Sequence, residues 1–428
     1  MSTPLHSKPL SGLRVCFAGS NRISRDTRAY REIAALVEAG ALVTVVNADN
    51  EISPELESLG LDIHLTGTAL PPQHQTLSKV LESRLAAEVV KRRPISKILT
   101  LYKQNRLDSF IKHRQEGYWP ELERLIVASR PDVIHCTNLY TAYPCLRASE
   151  TTGAKIVYDS YELWSGVIAD PLREILFPPT MQEILIDRER EIAQRAAAII
   201  TVSDATAERI ASDYDVPLPT VIYNGALDRV EQPRKMTDKI RLLIQGNNQL
   251  GNNIYGTLSA LALLDDRYTL TLQGSGMDSK YVLQQIADLN ISNRVTIAPL
   301  VPLRETVNFA SKHDIGVHAV LTTHSNGYYD INFDYTIPNR VLTYMSAGLA
   351  IASSDTKSVG GLVDQLQLGV VFSDGGNPSQ IAQGIELLSS DPEMLQAYKQ
   401  RSVEAAKSFM WSAQAEKLVM CYQSLVNF

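Results

Sequence analysis

The sequence predicts an α/β protein with two doubly wound domains, each built on a parallel sheet. Short apolar runs alternate with amphipathic helical stretches along the chain, which is the pattern of strand–helix–strand units. A length of 428 residues also exceeds what one ordinary hydrophobic core accommodates. A polar segment at 226–239, which contains Pro233, separates two such series. We therefore expect domains at 1–228 and 229–411, followed by a last helix at 412–428.

The first domain opens with a strand–helix–strand unit. An apolar strand at 13–19 ends in Gly19, a helical periodicity covers 30–39, and the next strand occupies 42–46. In such folds ligands bind at the carboxyl ends of the strands, so polar residues that follow a strand are candidates for the site. The remaining apolar runs of this domain are predicted at 132–135, 156–159, 198–203 and 221–225.

The second domain repeats the alternation without repeating the sequence. Its predicted helix from Pro338 to Gly348 begins with a proline at a first helical position and ends at a left-handed glycine cap. Free N–H groups and a positive dipole end, with Arg340 in the first turn, favour a phosphate site, although an ordinary capped helix fits the same pattern. The predicted strands of this domain are 240–246, 270–274, 295–298, 315–320, 349–353 and 370–372.

Composition excludes several function classes. The chain has 41 Lys and Arg against 47 Asp and Glu, and this net charge of −6 argues against a general nucleic-acid binder. No apolar run reaches the ~18 residues that a membrane span needs, and the N-terminus lacks a signal-peptide core. We expect a cytoplasmic protein without a metal site, because the cysteines are scattered and have no ligand spacing. The four cysteines are Cys16, Cys136, Cys145 and Cys421.

Six segments in order along the chain resemble motifs of the nucleotide-sugar glycosyltransferases of retaining family 4. Residues 338–351, PNRVLTYMSAGLAI, resemble the donor-site segment P-N-K-x-x-E-Y-x-x-A-G-x-P. The sequence YDSYEL at 158–163 resembles Y-D-x-H-E-L, and LTLQGSG at 270–276 resembles L-x-I-x-G-x-G. The other resembling segments are 24–46, 189–203 and 221–225. The resemblance implies the GT-B fold, in which two Rossmann-like domains face each other across a cleft and the helix at 412–428 crosses back to the first domain.

The resemblance also implies a reaction. A sugar would pass from a nucleotide-diphosphate donor to a glycan, lipid-linked or small-molecule acceptor, with retention, and with no metal and no cofactor beyond the nucleotide sugar. The implied catalytic residues are His135, Tyr161 and Glu162. The implied donor-binding residues are Gly246, Asn247, Gly274, Gly276, Leu300, Asn339, Arg340 and Thr343. The implied acceptor-side residues are Gly19, Asn21, Asp26 and Arg28.

Each of these roles has a simpler alternative from local chemistry. His135 also fits a hydrogen-bonded core histidine, and Glu162 fits a charge that favours the start of a helix. The glycines also fit ordinary tight turns after strands. These alternatives stay open at the level of sequence.

The chain departs from the family pattern at several places. Thr343 and Tyr335 replace two glutamates, Tyr161 replaces a histidine, and the loop 247–253 has no cation, which leaves Arg340 to neutralise a donor phosphate. A tyrosine with a pKa near ~10 is a poor general base at neutral pH. The alternative function is therefore a catalytically inactive GT-B-like subunit that binds a glycan or another glycosyltransferase.

One basic segment suggests a further partner. Residues 91–114 contain eight Lys or Arg against one Asp, and Ile95, Ile98, Leu99 and Tyr102 fall on one helical face. The functional interpretation is peripheral contact with anionic lipid at the inner face of a membrane. The alternative is a solvated basic face.

Overall fold

The computed structural model describes residues 8–20, 23–67, 119–169, 179–246, 253–322 and 331–426. The chain forms two compact units. The first takes Met1–Ile222 together with Ala415–Phe428, and the second takes Tyr223–Gln414. The sequence predicts a domain boundary between residues 228 and 229, and the two units divide between residues 222 and 223. The sequence predicts a last helix from residue 412, and the chain returns to the first unit at residue 415.

The first unit contains a parallel sheet with the strand order β3-β2-β1-β4-β5-β6-β7 in its described part. The order reverses between β1 and β4, which pair from Val15 with Val133 to Ala18 with Cys136. This topological switch point is where ligands of doubly wound sheets bind. The strands are β1 (Arg14–Gly19), β2 (Leu42–Asn47), β3 (Asp62–Leu65), β4 (Val133–Thr137), β5 (Lys155–Ser160), β6 (Ala198–Thr201) and β7 (Thr220–Val221).

The second unit has the same winding in a separate parallel sheet. Its described strands follow the order β10-β9-β8-β11-β12-β13, so its switch point lies between β8 and β11. The core of this unit packs on apolar residues from the central strands, such as Leu242, Leu270 and Val317. The strands are β8 (Ile240–Gln245), β9 (Tyr268–Gln273), β10 (Val295–Ala298), β11 (Ile315–His318), β12 (Ala350–Ser354) and β13 (Gly369–Phe372).

Helices cross between the strands of both sheets. Those of the first unit are α1 (Thr27–Glu38), α2 (Pro54–Glu57), α3 (Trp119–Ala128), α4 (Ala142–Thr152), α5 (Trp164–Ala169), α6 (Pro179–Arg195) and α7 (Asp204–Tyr214). Those of the second are α8 (Ile254–Leu263), α9 (Lys280–Asp288), α10 (Thr306–Ala310), α11 (Ile331–Tyr335), α12 (Asn339–Ser346), α13 (Val359–Leu366), α14 (Pro378–Ser389) and α15 (Pro392–Phe409). The last helix, α16 (Trp411–Val426), runs from the second unit into the first. In the described ranges, no helix is long and apolar enough to span a bilayer.

Local chemistry explains where the functional helices begin and end. Helix α1 begins after Asp26, whose carboxylate accepts the N–H groups of Arg28 and Ala29. The sequence predicts Pro338 as the first residue of helix α12. In the structure the helix begins at Asn339, and Pro338 is the residue before it. Gly348 follows this helix with φ +69°, which is the left-handed conformation that the sequence predicts for it.

Strand β4 differs from its prediction in a way that affects the site. The sequence predicted a strand that ends at His135, whereas β4 continues to Thr137. His135 therefore lies in the middle of a fully buried strand. The prediction was too short because His135 and Thr137 are polar residues inside a buried strand, which hydropathy alone does not reveal. Strand β3 was also not predicted, because its residues are only partly buried and weakly apolar.

Candidate active site

Polar residues gather at the carboxyl edge of the first sheet, where the switch point lies. Asn138 directly follows β4 and has φ 61° and ψ 164°, a backbone conformation that residues other than glycine rarely adopt. Its Oδ1 accepts the hydroxyl of Ser20, which follows β1, at 3.3 Å and the N–H of Tyr140 at 2.8 Å. These bonds join the ends of β1 and β4 in one polar turn.

Tyr161 reaches the same edge from the end of β5. Burial, and then the negative charge of Asp26, raise the pKa of the Tyr161 phenol well above its usual value, while a hydrogen bond with Asn138 acts in the opposite direction. The phenol is therefore protonated at neutral pH and is a hydrogen-bonding group rather than a base. The structure thus brings together Tyr161 and Asp26, and Gly19 ends β1, which β4 separates from β5.

Two other residues predicted for this edge are Glu162 and Asn21. Glu162 follows Tyr161 and is partly buried, and its backbone carbonyl accepts the hydroxyl of Ser160 at 3.1 Å. Asn21 lies outside the described residues.

His135 and Arg28 lie in the core of the first unit and not at its edge. The Arg28 guanidinium lies 2.8 Å from Asp159 and 3.0 Å from Glu32, and Nε2 of His135 lies 3.3 Å from Glu32. Nδ1 of His135 lies 2.7 Å from the hydroxyl of Tyr422 on α16. All of these side chains are almost fully buried. We call Arg28, Glu32, His135 and Asp159 the core ion cluster.

Charge pairing sets the protonation of this cluster. Burial would lower the pKa of His135, but the nearby carboxylates of Asp159 and Glu32 outweigh it and raise the pKa to about 9. Burial is the largest single influence on Asp159 and would raise its pKa, but Arg28 and His135 together outweigh it and lower the pKa to about 2. His135 is therefore a buried cation that faces carboxylates, as in the alternative of a hydrogen-bonded core histidine. Its contact with the transferred sugar stays a prediction.

Three residues of the core ion cluster are of the types that bind metal ions and lie close enough together to share one. Ligand atoms of Glu32, His135 and Asp159 all lie within 4.8 Å of one another. Arg28 already contacts both carboxylates at ion-pair distance. The set therefore fits an internal ion-pair network better than a divalent cation site.

In the second unit, two predicted glycines form the turns that follow β8 and β9. Gly246 has φ +128° and Gly274 has φ +149°, and both values favour glycine. A Cβ atom on Gly274 would lie 1.5 Å from the carbonyl oxygen of Gly246. The two loops therefore touch through their backbones at the carboxyl edge of the sheet, and no other residue leaves room for this contact.

Arg340 lies at this contact and at the switch point. One of its terminal nitrogens, Nη1, would lie 3.0 Å from a Cβ atom on Gly246. The other, Nη2, lies 2.9 Å from Nδ1 of His318, the last residue of β11. Helix α12 therefore places a guanidinium group between the ends of β8 and β11, as expected if Arg340 replaces the cation that the loop 247–253 lacks.

Four of the remaining predicted donor residues lie in the described part of the second unit. The hydroxyl of Thr343 donates to the backbone carbonyl of Asn339 at 3.1 Å, and Oδ1 of Asn339 accepts from Asn224 at 2.9 Å. Leu300 follows β10 and is 70% exposed, as several other surface leucines are, so its exposure alone does not indicate a ligand. Gly276 is an exposed residue of the turn after β9. Asn247 lies outside the described residues.

Sequence reasoning missed three polar residues at these edges. Asn138, Gln245 and His318 all lie at or directly after the end of a strand that flanks a switch point. A rule that takes every polar residue at the carboxyl end of a predicted central strand would find Gln245. It would miss His318, because the predicted strand 315–320 continues past it.

Comparison with known proteins agrees with this architecture. Residues 26–225 match the family described as glycosyl transferase 4-like domain, and residues 227–405 match the glycosyl transferases group 1 family. A comparison with curated protein sequences gives no match.

Solved structures with the same fold are similar over nearly the whole chain. HepE from Anabaena in complex with UDP has 14% identity and a TM-score of 0.64, with 96% of this chain and 100% of that chain covered. Sucrose-phosphate synthase from Thermosynechococcus elongatus has 15% identity and a TM-score of 0.65, over 96% and 99% of the two chains. A glycosyltransferase from Rickettsia africae has 12% identity and a TM-score of 0.67, over 97% and 99%. With the two family matches in chain order and the two doubly wound sheets, the protein belongs to the group 1 glycosyltransferases and has the GT-B fold.

Proposed function

We propose that the protein transfers a sugar from a nucleoside diphosphate to a hydroxyl group of a glycan, a lipid-linked sugar or a small molecule. The observation that carries this proposal is Arg340, a cation in the first turn of α12 that lies against Gly246 and His318 at the switch point of the second sheet. A helix start and a guanidinium group together attract a diphosphate. UDP is the first candidate nucleotide, because the similar HepE was crystallised with UDP and with UDP-glucose.

The proposed reaction needs no metal. The bond between the sugar carbon and the diphosphate oxygen breaks, a bond to the acceptor oxygen forms on the same face, and the acceptor proton passes to the departing diphosphate. Arg340 and the N–H groups at the start of α12 stabilise the charge that develops on the diphosphate. Tyr161, protonated at the edge of the first sheet, serves as a hydrogen-bonding group for a sugar hydroxyl. A general base on the protein is not required by this route.

The alternative is a subunit that keeps the fold and binds a glycan or another glycosyltransferase without turnover. Its support is Thr343, whose hydroxyl already donates to Asn339 where the family's glutamate would hold the donor ribose. Tyr335 also replaces an acidic residue, and its hydroxyl lies 2.5 Å from Nζ of Lys357. The two functions differ in one measurable property, which is turnover of a bound nucleotide sugar.

The experiment compares nucleotide affinity in two cation variants by calorimetry. Arg340→Ala removes the guanidinium at the switch point, and the loss of a charged hydrogen bond of ~1.5–3 kcal/mol corresponds to roughly 10- to 150-fold weaker binding of UDP. Lys357→Ala is the matched control, because this lysine is an exposed cation of the same unit in the loop after β12. Equal affinities of the two variants would show that the phosphates bind elsewhere.

Hydrolysis or transfer assays with nucleotide sugars then separate enzyme from inactive subunit. Release of free UDP by the parent protein, in the presence of an acceptor extract, supports transfer. Tight UDP binding without release of nucleotide from any of the common UDP-sugars favours the inactive subunit.

The membrane contact that the sequence suggested stays a proposal. Residues 91–114 lie outside the described residues, so its support is the charge of the sequence alone. Co-sedimentation with anionic vesicles at low salt and release near physiological salt would support it, because exposed charges are screened over ~8–10 Å. No binding to anionic vesicles at any salt concentration would contradict it.

A further inference from the structure

Two buried polar atoms without a partner lie at the donor edge of the second unit. Nε2 of His318 and Oε1 of Gln245 make no hydrogen bond in the described structure, and the side chains are 0% and 8% exposed. Gln245 ends β8 and His318 ends β11, so the two residues flank the switch point. Buried polar atoms are almost always paired, so two unpaired atoms at one edge indicate a place that a ligand or ordered water completes.

The environment of His318 fixes its tautomer. Both Nε and Nη2 of Arg340 are donors, and they lie 3.3 Å and 2.9 Å from Nδ1 of His318. Nδ1 must therefore be the acceptor and Nε2 must carry the hydrogen. Burial, followed by the charge of Arg340, holds the pKa of His318 well below its usual value, which agrees with a neutral ring.

The same contact fixes Arg340. A planar guanidinium has its donors in a fixed fork, so an acceptor on the Nε and Nη2 side directs Nη1 to the opposite side. That side is Gly246, where a Cβ atom would lie 3.0 Å from Nη1. The hydroxyl of Tyr344, on the same helix as Arg340, accepts the N–H of Gln245 at 2.9 Å and so holds α12 against the end of β8. His318 is therefore the side chain that selects which edge of the guanidinium is presented beside Gly246.

We propose that His318 is a positioning residue for the donor diphosphate: its neutral imidazole holds Arg340 by Nδ1 so that Nη1 is presented beside Gly246 to the phosphate oxygens. The proposal rests on the proposed function, since it assigns the diphosphate to this edge. His318 acts through Arg340, and the nucleoside part of the donor does not depend on it. At metal sites, removal of the group that orients a ligand side chain commonly weakens metal affinity by about 10- to 100-fold. We expect an effect of similar size on diphosphate affinity here.

The test measures affinity for UDP and for uridine in a set of variants of the full chain. His318→Leu removes the acceptor, and we expect it to weaken UDP binding by about 10-fold or more while the affinity for uridine changes less than about two-fold. His318→Asn retains an acceptor oxygen close to the position of Nδ1 and should restore most of the UDP affinity. His313→Leu is the matched control, because His313 is also buried in the second unit but precedes the amino end of β11, where its ring nitrogens contact Ala310 and Thr271. Thermal unfolding of each variant confirms that it is folded.

Epistasis with Arg340 separates positioning from a direct contact. If His318 acts through Arg340, His318→Leu should cause no further loss of UDP affinity in the Arg340→Ala background. An additional loss in that background, an equal loss of uridine affinity, or unchanged UDP affinity in His318→Leu would each overturn the proposal. Absence of UDP binding by the parent protein, with no other nucleoside diphosphate bound, would instead contradict the proposed function and this inference with it.

Discussion

The hydroxyl of Tyr422 lies 2.7 Å from Nδ1 of His135, although 287 residues separate the two along the chain. Because the pKa of His135 is raised to about 9, its ring is protonated at neutral pH and donates this hydrogen bond to the Tyr422 oxygen. The rings also stack at a centroid distance of 6.3 Å. The last helix is therefore joined to the core ion cluster through one hydroxyl.

Tyr422→Phe should destabilise the first unit. The change leaves the buried Nδ1–H of His135 without its partner, which costs about 1–3 kcal/mol of unfolding free energy. Urea unfolding measures the loss, with Tyr281→Phe as a control because Tyr281 is 55% exposed. The same small effect in both variants would show that the His135–Tyr422 bond contributes nothing to stability.

Arg28→Met should be far more damaging than Arg14→Met. Arg28 is buried against two carboxylates, and removing one member of a buried charge network costs about 3–5 kcal/mol because the other charges remain. Arg14 pairs with Asp132 at a similar distance, 2.6 Å, but both side chains are exposed, so solvent screens the pair. Chemical unfolding of both variants measures the contrast. Comparable losses would mean that burial does not strengthen the Arg28 pairs.

Glu189→Gln should remove a pH dependence of stability. The Glu189 carboxylate accepts from the hydroxyls of Tyr214, Tyr158 and Ser160, but burial dominates and raises its pKa to about 7. The folded state therefore binds this proton more tightly than the unfolded state, whose carboxyl titrates near ~4.3. The resulting stability is complete below pH ~4.3 and is lost as the pH rises through about 7, by up to ~4 kcal/mol.

The measurement is the unfolding free energy of the parent protein and of Glu189→Gln between pH 4.5 and 8. The parent should lose stability relative to the variant over this range, because glutamine keeps the neutral form at every pH. Glu183→Gln is the control, since Glu183 is exposed on the same helix. A constant difference between the parent and Glu189→Gln would contradict the raised pKa.

Gly274→Ala should disrupt the donor edge. The new Cβ would lie 1.5 Å from the carbonyl oxygen of Gly246, and the positive φ is also unfavourable for alanine, so the two loops must separate. We expect loss of UDP binding together with a lower melting temperature. Gly361→Ala is the control, because nothing lies within 4 Å of its Cβ position on α13, and it should stabilise that helix by about 0.5–1 kcal/mol. Retained UDP affinity in Gly274→Ala would place the nucleotide away from this edge.

Thr343→Glu restores the glutamate that the family usually has at this position, and its effect on nucleotide-sugar affinity shows whether a ribose site is present. The Thr343 hydroxyl donates to the backbone carbonyl of Asn339 within the helix. Replacement by glutamate introduces a carboxylate that is able to accept two ribose hydroxyls. If the site still binds an ordinary nucleotide sugar, calorimetry should show tighter binding to the variant. Weaker binding, together with a lower melting temperature, would indicate that the site has been rebuilt around the shorter side chain, because an unpaired carboxylate is costly when partly buried.

The sequence was sufficient for the architecture because strand and helix periods are local properties. The alternation of apolar runs predicted two parallel sheets, and the chain order of the strands agrees with two doubly wound units. The left-handed Gly348 was also predictable, since the end of a helix is decided by a few neighbouring residues.

The site was less predictable because its contacts are long-range. The sequence predicts His135 and Arg28 at the edge of the sheet, but each forms an ion pair with a carboxylate in the core. These partners are distant along the chain, so the pattern of apolar residues does not reveal them. The pairing of His318 with Arg340 joins a strand to a helix 22 residues later, and nothing in either segment alone indicates it. Buried charged networks depend on partners from several elements, and a single sequence does not list those partners.

The division of the first unit between two parts of the chain has a consequence for biosynthesis. Residues 415–428 belong to this unit but are translated only after all of 223–414. While the chain is being made, β1 to β7 can pair, but His135 has no Tyr422, and the surface that α16 will cover stays open. The second unit, which is continuous in sequence, can complete its fold first, and the N-terminal half of the protein is finished last. A nascent chain that stalls before residue 415 would expose the apolar surface of the first unit that α16 covers, and such surface favours aggregation.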